Sequence, residues 1–382
     1  MPDVITCIED LRLLAKRRVP KMFYEYADAG AWTETTCREN ETDFAPIKLR
    51  QRVAVNMEGR SLETTMIGQK VAMPVALAPV GLIGMQHADG EILAARAAAK
   101  FGVPFTLSTM SICSIEDVAE NTDKPFWFQL YVMRDREYIT RLIQRAKAAQ
   151  CSALVMTLDL QILGQRHKDL RNGLSAPPKI TLSNMLDMAT KPRWGLGMLG
   201  TKRRFFGNVV GHAKGVGNMT SLSEWSNAQL DPTVDWDDVK WVRDQWGGKL
   251  ILKGIMDVED AELAVRSGAD ALIVSNHGGR QLDGAPSSIA ALKPIVDAVG
   301  SRIEVHMDGG VRSGQDVIKA VAIGAKGVYI GRAFCYGVGA MGEAGVTRAL
   351  EIIRKELDVT MAFCGLRDIN KVDRNILVPG TY

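Results

Sequence analysis

Short apolar runs recur along the chain, each followed by a stretch with helical spacing. They fall at 75–79 (VALAP), 103–108 (VPFTLS), 126–130 (FWFQL), 153–158 (ALVMTL), 249–253 (KLILK), 271–275 (ALIVS), 303–307 (IEVHM) and 327–330 (GVYI). Apolarity is continuous within each run rather than alternating, as in strands buried on both faces of a parallel sheet. The joints repeat as well. Gly102, Gly268 and Gly324 each stand where a helix should stop, just before an apolar run, and glycine takes the left-handed C-cap conformation at low cost. Asp257 and Ser313 precede helical stretches and can cap their free N–H groups. Eight strands alternating with helices predict an α/β protein with a (β/α)8 TIM barrel, in preference to a doubly wound sheet with the same alternation.

Two parts fall outside the repeat. Residues 1–60 read as short helices forming an N-terminal helical cap over one barrel end, with Pro20 in a first helical turn and Gly30 as a C-cap around KMFYEYADA. Residues 160–248 are too long for one crossover helix and predict a long insertion after the fourth strand, of the kind that carries function or moves. The whole of 1–382 is read as one catalytic domain.

In a barrel, chemistry sits at the C-terminal strand ends, and the polar residues cluster there. Ser275-Asn276-His277-Gly278-Gly279-Arg280-Gln281 is the sharpest signal. Its glycines let backbone approach a ligand, its histidine can act as a base near neutral pH, and its arginine can grip a carboxylate with two parallel bonds. A second signal, after the seventh and eighth strands, is Asp308-Gly309-Gly310-Val311-Arg312 together with Gly331-Arg332. This is where barrels commonly hold a phosphate on loop N–H groups and a helix N-terminus. Lys253 ends the fifth strand, where an anion should pair with it; Schiff-base chemistry and electrostatic support of a cofactor both fit. Thr157 and Asp159 end the fourth strand, and an aspartate there can orient a base if the two meet.

Composition narrows the field. The chain has 382 residues, 46% hydrophobic and 24% charged, and a net charge of +3, too small for a dedicated nucleic-acid binder. Its six cysteines lie far apart and form no metal or disulfide pattern, which fits a reducing compartment; no metal is expected. The first twenty residues carry acids and lack the apolar stretch of a signal peptide. No run approaches the roughly 18 apolar residues of a spanning helix.

These residues resemble the FMN-dependent L-2-hydroxy-acid oxidases and dehydrogenases, from about Leu11 to Leu377, most strongly in the KGI, SNHGGRQLDG, DGGVRSGQDV and GRAF segments. LETT at 62–65, MPVALAPVGL at 73–82 and PFTLST at 104–109 are most similar to the bacterial quinone-linked L-lactate dehydrogenase branch. The resemblance implies FMN as cofactor. Pro79, Val80, Gly81, Ser108, Gln129 and Thr157 would contact its isoalloxazine ring, and Lys253 would supply a cation beside it. Ser275 would bind the ribityl chain, and Asp308, Gly309, Gly310, Arg312, Gly331 and Arg332 would hold ribityl and phosphate. His277 would be the catalytic base, oriented by Asp159. Arg280 and Arg166 would bind the substrate carboxylate, with Tyr26 and Tyr131 touching substrate oxygens. His277 would take a proton either from the hydroxyl, with hydride transfer, or from the α-carbon, giving a carbanion.

The implied reaction is oxidation of an L-2-hydroxy acid, L-lactate to pyruvate, with electrons passed to a quinone or respiratory acceptor. The alternatives are an oxygen-using oxidase that makes hydrogen peroxide and an FMN-dependent isomerase on a similar barrel. Gln161, in place of a proline common at that position, and Met110 bear on substrate choice. Segment 177–220 holds seven Lys/Arg against one acid, Asp187, interleaved with Trp194, Leu196, Met198, Leu199, Phe205 and Phe206. Such a surface suits an anionic membrane, so the expected location is peripheral, on the cytoplasmic side of the inner membrane; a mobile lid over the active site is the competing reading. A homo-oligomer, a tetramer by family expectation, is implied, and nucleic acid is not an expected partner.

Overall fold

The structure, a computed structural model, describes residues 4–174, 181–213, 216 and 229–382. Eight parallel strands form one sheet: β1 (Val75–Leu77), β2 (Thr106–Leu107), β3 (Trp127–Leu130), β4 (Ala153–Thr157), β5 (Leu250–Ile255), β6 (Ala271–Val274), β7 (Glu304–Asp308) and β8 (Gly327–Ile330). Consecutive strands from β2 to β8 pair in parallel, and β8 pairs in parallel with β1. The bridge Leu77↔Phe105 joins the two remaining ends, so the sheet closes into the (β/α)8 barrel expected from the alternation. Every residue of the apolar runs within β1, β3, β4, β6 and β8 is buried. Parallel strands covered on both faces require this.

Side chains fill the barrel axis. Trp127, Val155, Ile251, Ile273 and Tyr329 pack there among the small Ala76, Ala153 and Ala271. A two-stranded antiparallel hairpin, Thr64–Met66 with Gln69–Val71, pushes Met66, Ile67 and Val71 into the same cluster and plugs the N-terminal end. The interior is therefore solid below, and open space remains at the C-terminal rim.

The helix punctuation follows local physics. Gly102 and Gly268 close their helices at φ +81° and +76°. Asp257 caps Val258–Ser267, and Ser313 with Asp316 forms a reciprocal capping box on Gly314–Ile323. The expected cap helix is Lys21–Asp28, but Gly30 does not cap it; Ala29 does, in an extended conformation. Gly30 is needed for packing instead. A Cβ there would lie 2.7 Å from the Cys37 side chain and 3.0 Å from the Gly279 carbonyl.

The N-terminal helices Ile8–Arg18, Lys21–Asp28 and Thr35–Thr42 lie against helix Arg332–Met341 and the rim that carries 276–285. Within 160–248, the final stretch is the regular barrel helix Trp236–Trp246, which leads into β5. Before it come helices His167–Arg171, Leu182–Ala189 and Pro192–Gly200. The part of the basic segment at 177–180, 214–215 and 217–220 lies outside the described residues.

Candidate active site

A cavity of about 290 Å³ opens at the C-terminal rim. Of the residues singled out from sequence, Tyr26, Pro79, Val80, Gly81, Ser108, Tyr131, Arg166, Lys253, His277, Arg280, Asp308, Gly309, Gly310, Arg312, Gly331 and Arg332 line it. Gln129, Thr157 and Ser275 are buried on the strands that form its floor, and Asp159 lies behind His277.

His277 follows β6 at φ +59°, a left-handed conformation that a residue with a Cβ rarely adopts. Gly278 and Gly279 continue the turn at φ +67° and +70°. Glycine is obligatory at 279, where a Cβ would lie 2.5 Å from Cys37 backbone atoms. The turn aims the imidazole at the end of β4, and its Nδ1 lies 2.7 Å from Asp159 Oδ1. Asp159 comes close because β5 bulges between Lys253 and Ile255. The intervening Gly254 (φ +104°) leaves room that a Cβ would fill, 2.8 Å from the Asp159 side chain.

Burial pushes the imidazole below its usual range, against the pull of Asp159. Burial would raise Asp159, but His277 and Lys253 hold it below its ordinary value, so it stays a carboxylate. A neutral imidazole with an anion on Nδ1 leaves Nε2 free to accept a proton, and the anion stabilises the imidazolium that results. Tyr131 keeps its proton, because burial and then Asp159 raise its phenol.

Lys253 ends the fifth strand's run at the cavity floor. Its Nζ donates to Ser275 Oγ at 2.7 Å and lies 3.2 Å from Asp308 Oδ2. Burial alone would favour the neutral amine, but Asp308 and Asp159 hold its pKa above the ordinary value. The reading as a Schiff-base nucleophile, which needs a neutral amine, loses its footing. Lys253 is a fixed cation.

Two arginines sit opposite. Arg280 is partly buried, its Nη1 donates to the Tyr26 and Ala29 carbonyls, and its guanidinium lies 4.8 Å from the Tyr26 ring centre. Burial and then the like charge of Arg166 depress it to about 10. Arg166 donates to the Arg280 carbonyl and to Gln281 Oε1. Gln281 Nε2 in turn holds the Asp159 and Ile162 carbonyls at 2.7 and 2.8 Å. Arg280 Nη2 is buried with no partner. A buried cationic donor left empty is costly unless an anion meets it.

The rest of the floor fits a flavin nucleotide. Gln129 Nε2, Thr157 Oγ1 and Asp308 Oδ1 are buried polar atoms without partners. Ser275 Oγ accepts from Lys253 and from the His277 N–H, which leaves its own proton to donate. Buried polar atoms are normally satisfied, so this set matches a bound group with a polar edge and hydroxyls. Beside it, Gly309 and Gly310 turn at φ +100° and +74°, and Gly331 starts the ten-residue helix Arg332–Met341. Such a turn beside a helix N-terminus is of the kind that can cradle a phosphate. The two basic residues there are partly engaged. Arg312 pairs with Glu41 at 2.7 Å, and Arg332 donates to the carbonyls of Ala27, Gly278 and Ala29. Among the described residues no group of side chains could hold a metal ion.

The sequence gives no signal for the bonds that Gln281 makes to Arg166 and to the Asp159 carbonyl, or for the bulge at Gly254. Nor does it single out Leu230, which lines the cavity with Met110, Leu160, Leu163 and Phe206.

The chain matches the FMN-dependent dehydrogenase family model over residues 15–379. It is 46% identical to an L-lactate dehydrogenase of Caulobacter vibrioides over 376 residues, which cover 98% of each chain. It is 45% identical to an L-lactate dehydrogenase of Ectopseudomonas mendocina over 380 residues, covering 98% of this chain and 99% of that one. Among solved structures, a monotopic membrane (S)-mandelate dehydrogenase superposes with a TM-score of 0.93 at 36% identity, covering 98% of this chain and 99% of the other. A mandelate oxidase bound to (S)-2-phenylpropionate superposes at 0.82 and 32% identity, covering 98% of both. The chain belongs to the FMN-dependent dehydrogenase family and is an FMN-dependent 2-hydroxy-acid dehydrogenase.

Asp159 raises the proton affinity of His277, so Asp159→Asn should move the acid limb of the kcat/KM profile to lower pH. It should also cut turnover by about 10²-fold or more, because the imidazolium loses its anion. A limb that stays in place, or moves up, would remove Asp159 from this role.

Proposed function

We propose that the protein oxidises an L-2-hydroxy acid, L-lactate by preference, to the 2-oxo acid and passes the electrons to a quinone-type acceptor. The observation that carries this reading is the buried, unpartnered Arg280 Nη2 in the same cavity as the His277–Asp159 pair. A carboxylate satisfies the guanidinium, and a proton-bearing α-carbon and hydroxyl then lie within reach of a base. FMN, when bound, supplies the two-electron acceptor. Gln129, Thr157, Ser275 and Lys253 would hold its ring and ribityl side, and Asp308, Gly309, Gly310, Gly331 and Arg332 the ribityl and phosphate. Pro79, Val80, Gly81 and Ser108 would pack against the ring, with Arg312 adding charge near the phosphate.

Each residue then has one task. Arg280 and Arg166 fix the carboxylate, which removes the rotational freedom of the substrate before reaction. Tyr26 and Tyr131 touch its oxygens, and Tyr131 does so as a phenol that keeps its proton. His277 takes the substrate proton at Nε2, and Asp159 holds the resulting cation. Lys253 keeps a positive charge on the cavity floor, which favours an electron-rich cofactor. Apolar Met110, Leu160, Leu163 and Phe206 face the substrate side chain and exclude water. The names of the two lactate dehydrogenase relatives support lactate and the L configuration.

Peripheral membrane docking fits a quinone acceptor. Helices Leu182–Ala189 and Pro192–Gly200 bury none of their residues and expose Leu182, Leu186, Leu196 and Leu199. Arg193, Lys202 and Arg204 are exposed beside them. Arg203 is not available, because it pairs with Asp117 and Asp89. The N-terminal helix adds charge: Lys191 Nζ donates to the Arg17 carbonyl, which brings Arg17 and Arg18 to the same face. No helix among the described residues is long and apolar enough to cross a membrane. The similar (S)-mandelate dehydrogenase is a monotopic membrane protein, which supports an in-plane anchor here.

Anaerobic addition of L-lactate should bleach the flavin's visible absorption, and D-lactate should not. A flavin that stays oxidised with L-lactate but bleaches with (S)-mandelate would replace the substrate, and one that bleaches with neither would end the reading. Leu196→Ser/Leu199→Ser with Arg193→Glu should abolish co-sedimentation with phosphatidylglycerol vesicles. Equal sedimentation of variant and unmodified protein would reject docking by this face.

A further inference from the structure

The base loop is held by a residue far from it in sequence. Asn40, in the last turn of the cap helix Thr35–Thr42, is 1% exposed. Its Nδ2 donates to Asn276 Oδ1 at 2.9 Å, and Asn276 Nδ2 donates back to Asn40 Oδ1 at 2.9 Å. The two amides form a closed, reciprocal pair across the seam between cap and barrel. Each also reaches further. Asn276 Oδ1 accepts from the Gly279 N–H at 3.0 Å, and Asn276 Nδ2 donates to the Pro286 carbonyl at 3.0 Å. Asn40 Oδ1 accepts from the Ser288 N–H at 3.1 Å, at the start of helix Ser288–Val299. Asn40 also underlies the phosphate-side loop: a Cβ on Gly310 would lie 1.8 Å from its carbonyl oxygen.

We propose that Asn40 is a positioning residue for proton abstraction: its side chain fixes Asn276 and Gly279, and through them the left-handed turn that aims His277. Three consecutive positive-φ residues, 277–279, form a turn that relaxes unless its surroundings determine it. Among the described residues, His277 is tethered by its imidazole to Asp159 and by its backbone N–H to Ser275 Oγ. The Asn pair locks the residues on either side of it. A buried amide pair is satisfied only in one register, so it specifies a geometry rather than merely adding stability. The substrate arginine keeps its own anchors at the Tyr26 and Ala29 carbonyls. Loss of Asn40 therefore acts on the base more than on binding. This inference rests on the reading of His277 as the base.

The test is anaerobic stopped-flow reduction of the FMN-loaded protein by L-lactate and by α-deuterated L-lactate, normalised to bound flavin. Asn40→Ala should slow the limiting rate of reduction about 10- to 100-fold, the scale of a displaced catalytic group. The half-saturating lactate concentration should stay within about threefold, and the deuterium effect should grow as the chemical step becomes fully limiting. Asn40→Asp, nearly isosteric, keeps the acceptor but replaces the donor facing Asn276 Oδ1, and should show the same rate loss. It serves as the test if Asn40→Ala does not fold. Thr36→Val, one turn earlier, removes the bonds to the Ala285 carbonyl and the Gly284 N–H without touching 276–279. It should lower thermal stability and leave the rate per flavin unchanged. If both Asn40 variants reduce at the unmodified rate per flavin and lose only stability, the proposal is overturned. If the unmodified protein itself is not reduced by any 2-hydroxy acid, the functional reading fails first, and that failure is visible without the variants.

Discussion

The 2.7 Å contact between His277 Nδ1 and Asp159 Oδ1 joins the ends of two strands separated by 118 residues of chain. Everything else in the site serves it or depends on it. The barrel must close so that β4 and β6 stand with only β5 between them. β5 must bulge at Gly254 to let Asp159 in, and β6 must end in a left-handed turn to send the imidazole back. Both devices depend on glycine, because a Cβ at 254 or 279 would collide with its neighbour. The pair in turn sets the charge pattern. Asp159 and Lys253 each hold the other ionised beside an imidazole that burial keeps toward its neutral form.

Charge is arranged in two tiers around that pair. On the floor, Lys253 and Asp308 neutralise one another at 3.2 Å while each keeps capacity to bind a further group. On the wall, burial and then the like charge of Arg166 lower Arg280. Two cations held by carbonyls and an aromatic ring suit a carboxylate better than a neutral analogue, for an electrostatic reason, as the proposed substrate requires.

Much of this was legible beforehand. Strands buried on both faces leave continuous apolar runs, and all eight expected runs begin or end within one residue of the observed strand at one end or both. The poorest match is 103–108, where only Thr106–Leu107 is regular strand and Phe105 bridges to β1. The caps at Asp257 and Ser313 were legible because capping is a local interaction. What local pattern could not carry is pairing across the fold. Gly30 looks like a cap and is a packing contact; Asp159 and His277 were joined only by the family resemblance, not by any local pattern; Asn40 sits in a polar helix, TTCRENET, with nothing to distinguish it from its neighbours. The basic segment shows the same limit. Its charge count was visible, but the engagement of Arg203 with two aspartates was not.

The central claim is that His277 takes the substrate proton. Its most direct test is single-turnover reduction of the flavin by L-lactate in His277→Ala, without oxygen. The variant should be a yellow, FMN-loaded protein whose reduction is slower by about 10²- to 10⁴-fold, the usual contribution of a general base. Reduction at the unmodified rate, with flavin fully bound, would contradict it.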